Sequence, residues 1–284
     1  MWEGYAALAV IGSGVLVIVQ RLVAVKSQNH LAGVMAFNLV SAALAVGVSL
    51  IANRGWHPVW PTVPRAYIFM GIGVLVYGLY ERLRFKAASG VEASEFAVIG
   101  NVSIMVSFIG SALLYQEGFG LAKIAGTALI IAAITLISWQ PETHIFRKAA
   151  GWVLLAQFIL GVAAATDKMG VMYFRPELYI ILLWLLPLTV IFFPYIKPSE
   201  ILNEFKLGSW KIGVLAALNV LVYYTVLKAL AITEATRVIP IFQTSSLLAV
   251  ILGMVFLKER DHPGKKLTAV GIAIMGVYLL AGAR

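Results

Sequence analysis

The chain has 284 residues, of which 61% are hydrophobic and only 12% charged, and its mean hydropathy is +0.91. Soluble proteins carry about 25% charged residues, so this composition excludes a soluble enzyme and a disordered chain and demands that most of the surface face lipid. The absence of cysteine excludes disulfides and thiolate sites. The net charge of +9 sits mostly at the ends of apolar runs, which points to lipid headgroups rather than nucleic acid.

A helix crossing the bilayer needs about 20 apolar residues. Ten such runs are predicted, over 5–24, 31–52, 66–86, 93–115, 121–139, 149–172, 177–196, 209–231, 236–257 and 266–282. The breaks carry turn chemistry: Asn53-Arg54-Gly55 with Pro58, Pro61 and Pro64, then Gln140-Pro141-Glu142, Lys197-Pro198-Ser199 and Asp261-His262-Pro263-Gly264. The first run is expected to stay in place rather than be cleaved, since it lacks a basic start and ends in Gln20-Arg21. All four histidines fall in predicted loops, and only two aspartates exist, Asp167 and Asp261.

The fourth and ninth runs resemble each other. Glu92 and Glu234 are 234 − 92 = 142 positions apart, and at that offset residues 81–117 share eight identities with 223–259 over 37 positions, including Lys86/Lys228, Ser103/Ser245 and Glu117/Glu259. Chance in so apolar a composition gives about three. The repeat predicts two units, 1–142 and 143–284, of five helices each. An odd number of crossings sends the second unit in from the opposite side, the inverted arrangement common in secondary transporters, whose substrate site lies near the midplane. The predicted fold is therefore an all-α membrane protein of ten transmembrane helices built as two inverted five-helix repeats.

The stretch Tyr223-Tyr224-Thr225-Val226-Leu227-Lys228-Ala229-Leu230, then Thr233-Glu234-Ala235-Thr236-Arg237-Val238-Ile239-Pro240, then Gly253-Met254-Val255-Phe256-Leu257-Lys258-Glu259-Arg260 resembles the EamA branch of the drug/metabolite transporter superfamily. The first half carries a weaker copy, with Gly118 after Glu117 and Val98 where Pro240 aligns. The resemblance implies ten helices, a central cavity lined by helices 1–4 and 6–9, and movement of small metabolites across the membrane.

Polar side chains inside hydrocarbon are costly and normally face a cavity or a partner. Candidates for the substrate cavity are Asn38, Tyr77, Asn101, Ser103, Gln157, Trp184, Asn219, Tyr223, Gln243, Thr244 and Ser245. Asn101 and Gln243 occupy equivalent places in the two repeats, and amides offer both donors and acceptors. The competing reading of each is a plain interhelical hydrogen bond, worth about 0.6 kcal/mol. Pro240 is a candidate helix break that frees a carbonyl one turn back. Arg21, Glu81, Arg82, Asp167 and Lys168 are candidates for gating and coupling. Long basic stems can snorkel instead, but short Asp167 cannot, and Asp167 and Glu81 are the best candidates to carry protons. Gly12, Gly14, Gly71, Gly73, Gly110, Gly126, Gly161 and Gly271 are expected at close helix contacts. No phosphate-binding loop is present, so ATP-driven transport by this chain is not expected.

Lys and Arg number eight on the side of the termini and fourteen on the other. The charge count places the termini outside the cytoplasm, whereas the family resemblance implies termini inside. The expected function is secondary transport of a small solute (amino acid, amine, nucleotide-like or sugar-like) by alternating access in the plasma or inner membrane. Its partners are the lipid bilayer, the solute and protons, with no cofactor or metal, and the chain acts as a monomer or homodimer. The competing readings are a non-transporting helper or receptor and a membrane-embedded lipid enzyme. The enzyme reading lacks a catalytic constellation within the apolar runs.

Overall fold

The structure, a computed structural model, describes residues 1–24, 29–88, 93–139, 148–193, 195–248, 252 and 263–283. Among them every regular element is an α-helix. In chain order these are α1 Trp2–Ala24, α2 His30–Ala52, α3 Pro64–Ala88, α4 Ala93–Tyr115, α5 Leu121–Ser138, α6 Lys148–Tyr173, α7 Pro176–Leu185, α8 Leu188–Phe192, α9 Pro198–Gly208, α10 Trp210–Ile232, α11 Ala235–Gln243 and α12 Pro263–Gly282. In lipid, a helix is the one open-chain structure that satisfies every backbone donor internally, which is why the apolar runs and the helices coincide. Among the described residues six helices are long and apolar enough to cross a membrane: α2, α5 and α10, with most of α3, α6 and α12. Three shorter apolar helices cover Trp2–Leu16, Ile99–Tyr115 and Pro176–Phe192.

The structure corrects the sequence reading in three places. The seventh run is two helices, α7 and α8, because Pro187 brings no N–H and the chain restarts from the Pro187 carbonyl, which accepts from Val190 and Ile191. The ninth run is interrupted: α11 holds Pro240 in its interior, and the helix stops at Gln243 before Thr244. Residues 198–208, expected as loop, form α9, opened by Pro198 in the first turn.

Side chains are distributed inside out. Ser41, Ser107 and Ser111 are fully buried, while Leu113, Leu121 and Met275 are more than half exposed. A chain whose solvent is hydrocarbon gains nothing by hiding leucine. The helices pair extensively as α1 with α10, α3 with α6, α4 with α6, α5 with α12, and α2 with α7 and α10. The α5–α12 crossing depends on two glycines: a Cβ on Gly126 would lie 2.8 Å from the Gly276 carbonyl oxygen, and one on Gly276 would lie 2.7 Å from that of Gly126. Gly161 likewise admits Val106 of α4. Gly71 and Gly271, expected at close contacts, have open space around them, and Gly276 takes the place expected of Gly271.

Candidate functional site

Asp167 lies deep in α6 and is 2% exposed. Phenols from three other helices converge on it. Tyr77 of α3 donates to Oδ2 at 2.6 Å, Tyr223 of α10 donates to the same oxygen, and Tyr179 of α7 donates to Oδ1 at 3.1 Å. The hydroxyls of Tyr77 and Tyr223 also touch each other, and either can donate. Among the described residues no ion pair reaches this carboxylate. The turn at Phe174–Arg175, closed by Pro176, starts α7 so that Tyr179 returns over α6. Gly170 leaves room for that ring, since a Cβ there would overlap it. Trp184 stands edge-on to Tyr223 (centroids 6.4 Å apart) and to Phe37 (5.7 Å), and its indole Nε1 is buried without a hydrogen-bond partner. An ionised carboxylate inside hydrocarbon is costly unless donors surround it. Three hydroxyls make the ionised form tolerable, while the lack of a cation leaves the neutral form equally competent to bond.

Glu177, ten residues on, is treated differently. Its Oε1 accepts from Tyr224 at 2.7 Å and pairs with the Lys228 ammonium, which also lies 5.3 Å from the centre of the Tyr224 ring. Tyr224 and Lys228 sit four apart on α10, one above the other on a helix face.

A third polar group ties the turn after α4 to the start of α11. Glu117 accepts from the backbone N–H of Ala235 and of Thr236, both at 2.8 Å. A carboxylate satisfies the orphan donors of a helix N-terminus and complements its dipole. Lys123 of α5 is almost fully buried and donates to Glu234 at 2.8 Å and to the Gly118 carbonyl at 3.1 Å, while Arg237 lies 2.7 Å from the other Glu234 oxygen. Burial alone would raise the Glu234 carboxyl, but the hydrogen bonds and charges of Lys123 and Arg237 outweigh it and hold the group below its ordinary value. Lys168 caps the end of α10, donating to the carbonyls of Leu230 (2.6 Å) and Thr233 (2.7 Å).

The structure thus brings together Tyr77, Asp167, Trp184 and Tyr223 of the expected cavity and coupling residues. Others bond locally. Asn38 donates to the Val34 carbonyl at 2.9 Å, Ser103 to that of Gly100 at 2.7 Å and Thr244 to that of Ile241 at 2.6 Å. Asn101 donates to Thr135 of α5 at 2.9 Å and keeps a buried Oδ1 without a partner. Gln157 and Ser245 are buried, Asn219 and Gln243 partly so, and Pro240 is buried within α11. Arg82 donates to the carbonyls of Val190 and Ile191 at 3.2 Å, capping α8, and Glu81 is half-buried beside it in sequence. The side chain of Arg21 lies outside the described residues, as do Glu92, Glu259 and Arg260.

Sequence reasoning passed over Tyr179, Gly170, Glu117 and Glu177. Tyr179 and Glu177 sit in the first two turns of α7, where an interfacial aromatic and a helix-start acid are unremarkable. The signal for Glu117 was its identity with Glu259, used to align the repeats and to mark the weaker first-half copy of the family signature.

Residues 147–282 match the EamA-like transporter family. No protein among the curated sequences matches the chain. Among solved structures 29 chains match; one, described as "Crystal structure of protein", aligns over 97% of this chain and 94% of its own at 15% identity with a TM-score of 0.69, a likeness of fold alone. Over residues 147–282, just under half of its length, the chain is similar to the EamA-like transporter family, part of the drug/metabolite transporter superfamily, and its long apolar helices are those of a multi-pass membrane protein.

Proposed function

We propose that the chain is a ten-helix secondary transporter, made of inverted repeats 1–142 and 143–284, that moves a small metabolite by alternating access with Asp167 as the group that exchanges protons. The observation that carries the reading is one buried carboxylate bonded by phenols from α3, α7 and α10 and reached by no cation among the described residues. Helices of both halves must move apart to expose it, so its protonation and the shape of the interior are linked.

The packing supports the repeat. Exchanging the halves maps α1 on α6, α2 on α7, α3 on α10, α4 on α11 and α5 on α12. The pair α1–α10 then becomes α6–α3, while α2–α7, α4–α11 and α5–α12 map onto themselves, and all these pairs are in contact. The Glu117, Lys123 and Glu234 group joins one half to the other and acts in this reading as the lock of the gate on the side of the termini. Asn38, Asn101, Ser103, Gln157, Asn219, Gln243, Thr244 and Ser245 line the route taken by the solute, with the freed carbonyl behind Pro240 beside them.

The test is uptake of radiolabelled amino acids, sugars, nucleosides and amines into proteoliposomes, with and without a pH gradient. At least one solute is expected to accumulate when a gradient is imposed, and Asp167→Asn is expected to remove the gradient-driven part. Asn101→Leu and Gln243→Leu are expected to abolish transport while the protein still inserts. Accumulation by Asp167→Asn equal to the parent chain would overturn the coupling assignment; normal uptake by both leucine variants would overturn the route.

A further inference from the structure

Helix α9 belongs to no crossing segment. Its 11 residues span about 16 Å at 1.5 Å per residue, against the roughly 30 Å of a bilayer core. Its two faces differ in charge. The inner face carries Glu200 and Glu204, which bond to Asn29: Glu204 is 3% exposed and accepts the Asn29 backbone N–H at 2.8 Å, and Glu200 accepts from its side-chain amide at 3.3 Å. Asn29 in turn caps α2, its Oδ1 accepting from the Ala32 N–H at 3.2 Å. Ser199, Leu202, Asn203 and Lys206 fall on the outer face and are exposed. Lys197 at the start of α9 is exposed, Lys211 follows its end half-buried, and Trp210 beside it is 71% exposed.

The acids of this segment are therefore used inside the protein, while Lys197 and Lys206 are left outside and Lys211 half so, beside an aromatic of the kind that sits at headgroup depth. The geometry points to α9 as a helix lying in the membrane interface that binds the anionic headgroup of a phospholipid through Lys197, Lys206 and Lys211, and passes that contact to the N-terminus of α2 through Glu200, Glu204 and Asn29. The complement of three lysines with inward carboxylates is a single leaflet of negative charge. α2 packs on α7, which contributes Tyr179, and on α10, which contributes Tyr223, so leaflet charge bears on helices of the Asp167 cage. The inference holds whatever the chain transports.

The full chain is reconstituted in nanodiscs of phosphatidylcholine holding a trace of dansyl-labelled phosphatidylglycerol or dansyl-labelled phosphatidylcholine, and energy transfer from Trp210 is taken as the parent signal minus that of Trp210→Phe. Each lysine near the surface is worth about fivefold in lipid association, so the parent chain is expected to prefer the anionic probe, and K197Q/K206Q/K211Q is expected to lose that preference. Arg54→Gln with Arg65→Gln and Arg175→Gln, which lie outside α9 and its flanks, is expected to keep it. An equal signal from both probes in the parent chain, or displacement of the anionic probe by millimolar inorganic phosphate, would overturn the proposal. A second measurement, again taken as the parent signal minus that of Trp210→Phe, stands beside it: lipids brominated near the headgroup are expected to quench Trp210 more than lipids brominated near the chain ends, and the reverse order would show that α9 is not interfacial.

Discussion

Asp167 and Glu177 lie ten residues apart, both buried, on helices joined by one tight turn, yet they have opposite company. Glu177 has a lysine and a phenol; Asp167 has three phenols and no ion pair among the described residues. A neutral ion pair inside a low-dielectric interior fixes its own charge state, because removing either partner strands the other. A carboxylate held by hydroxyls alone is committed to neither state. One acid thus fastens α7 to α10, and the other is the group proposed above to exchange protons.

The largest expected effect separates the two by pH. In gradient-driven uptake, Asp167→Asn is expected to lose the response to the gradient entirely, and Glu177→Gln to retain it at reduced rate. Equal loss in both would erase the distinction. Next comes stability. Lys228→Met leaves Glu177 without its cation, at a cost of about 1–3 kcal/mol in the unfolding equilibrium after allowance for the partly exposed ammonium. Pairing it with Glu177→Leu is expected to recover most of that loss in a double-mutant cycle. Gly170→Ala pushes the Tyr179 ring off Asp167 and is expected to cost about 1–3 kcal/mol by overpacking, seen as a lowered thermal midpoint that Tyr179→Phe does not reproduce.

The smallest expected effect belongs to the lock. Lys123 and Arg237 hold the Glu234 carboxyl below its ordinary value of 4.5. A group depressed in the folded state adds stability above its unfolded value and loses it as pH falls through the folded one. The thermal midpoint of the parent chain is therefore expected to decline as pH drops below about 4.5, and that of Glu234→Gln to decline less. Parallel curves would remove Glu234 from the pH response.

How far the site was legible follows from how each residue signals itself. A short acid within an apolar run stands out against hydrocarbon, so Asp167 was evident. Tyr77, Trp184 and Tyr223 were visible as aromatics too deep for a headgroup belt. Tyr179 and Glu177 were hidden because position near a helix start explains each without a partner. Asn101 bonds Thr135 through its amide N–H and keeps a buried Oδ1 without a partner, and a side chain able to bond either a solute or a neighbour does not announce in sequence which it serves.

Composition and apolar periodicity alone determined the class of solvent and the bounds of most helices, because every backbone amide in lipid must be bonded within its own segment. Pro240 marked the ninth run in sequence as a candidate break, and there α11 ends at Gln243. Only tertiary packing decided that α9 folds, that a glycine at 170 gives way to a tyrosine ring, and that one buried acid meets a lysine while the next meets three phenols. Those outcomes depend on which helix faces meet, from 12 residues apart for Asp167 and Tyr179 to 175 for Asn29 and Glu204, and a one-dimensional pattern carries no record of that.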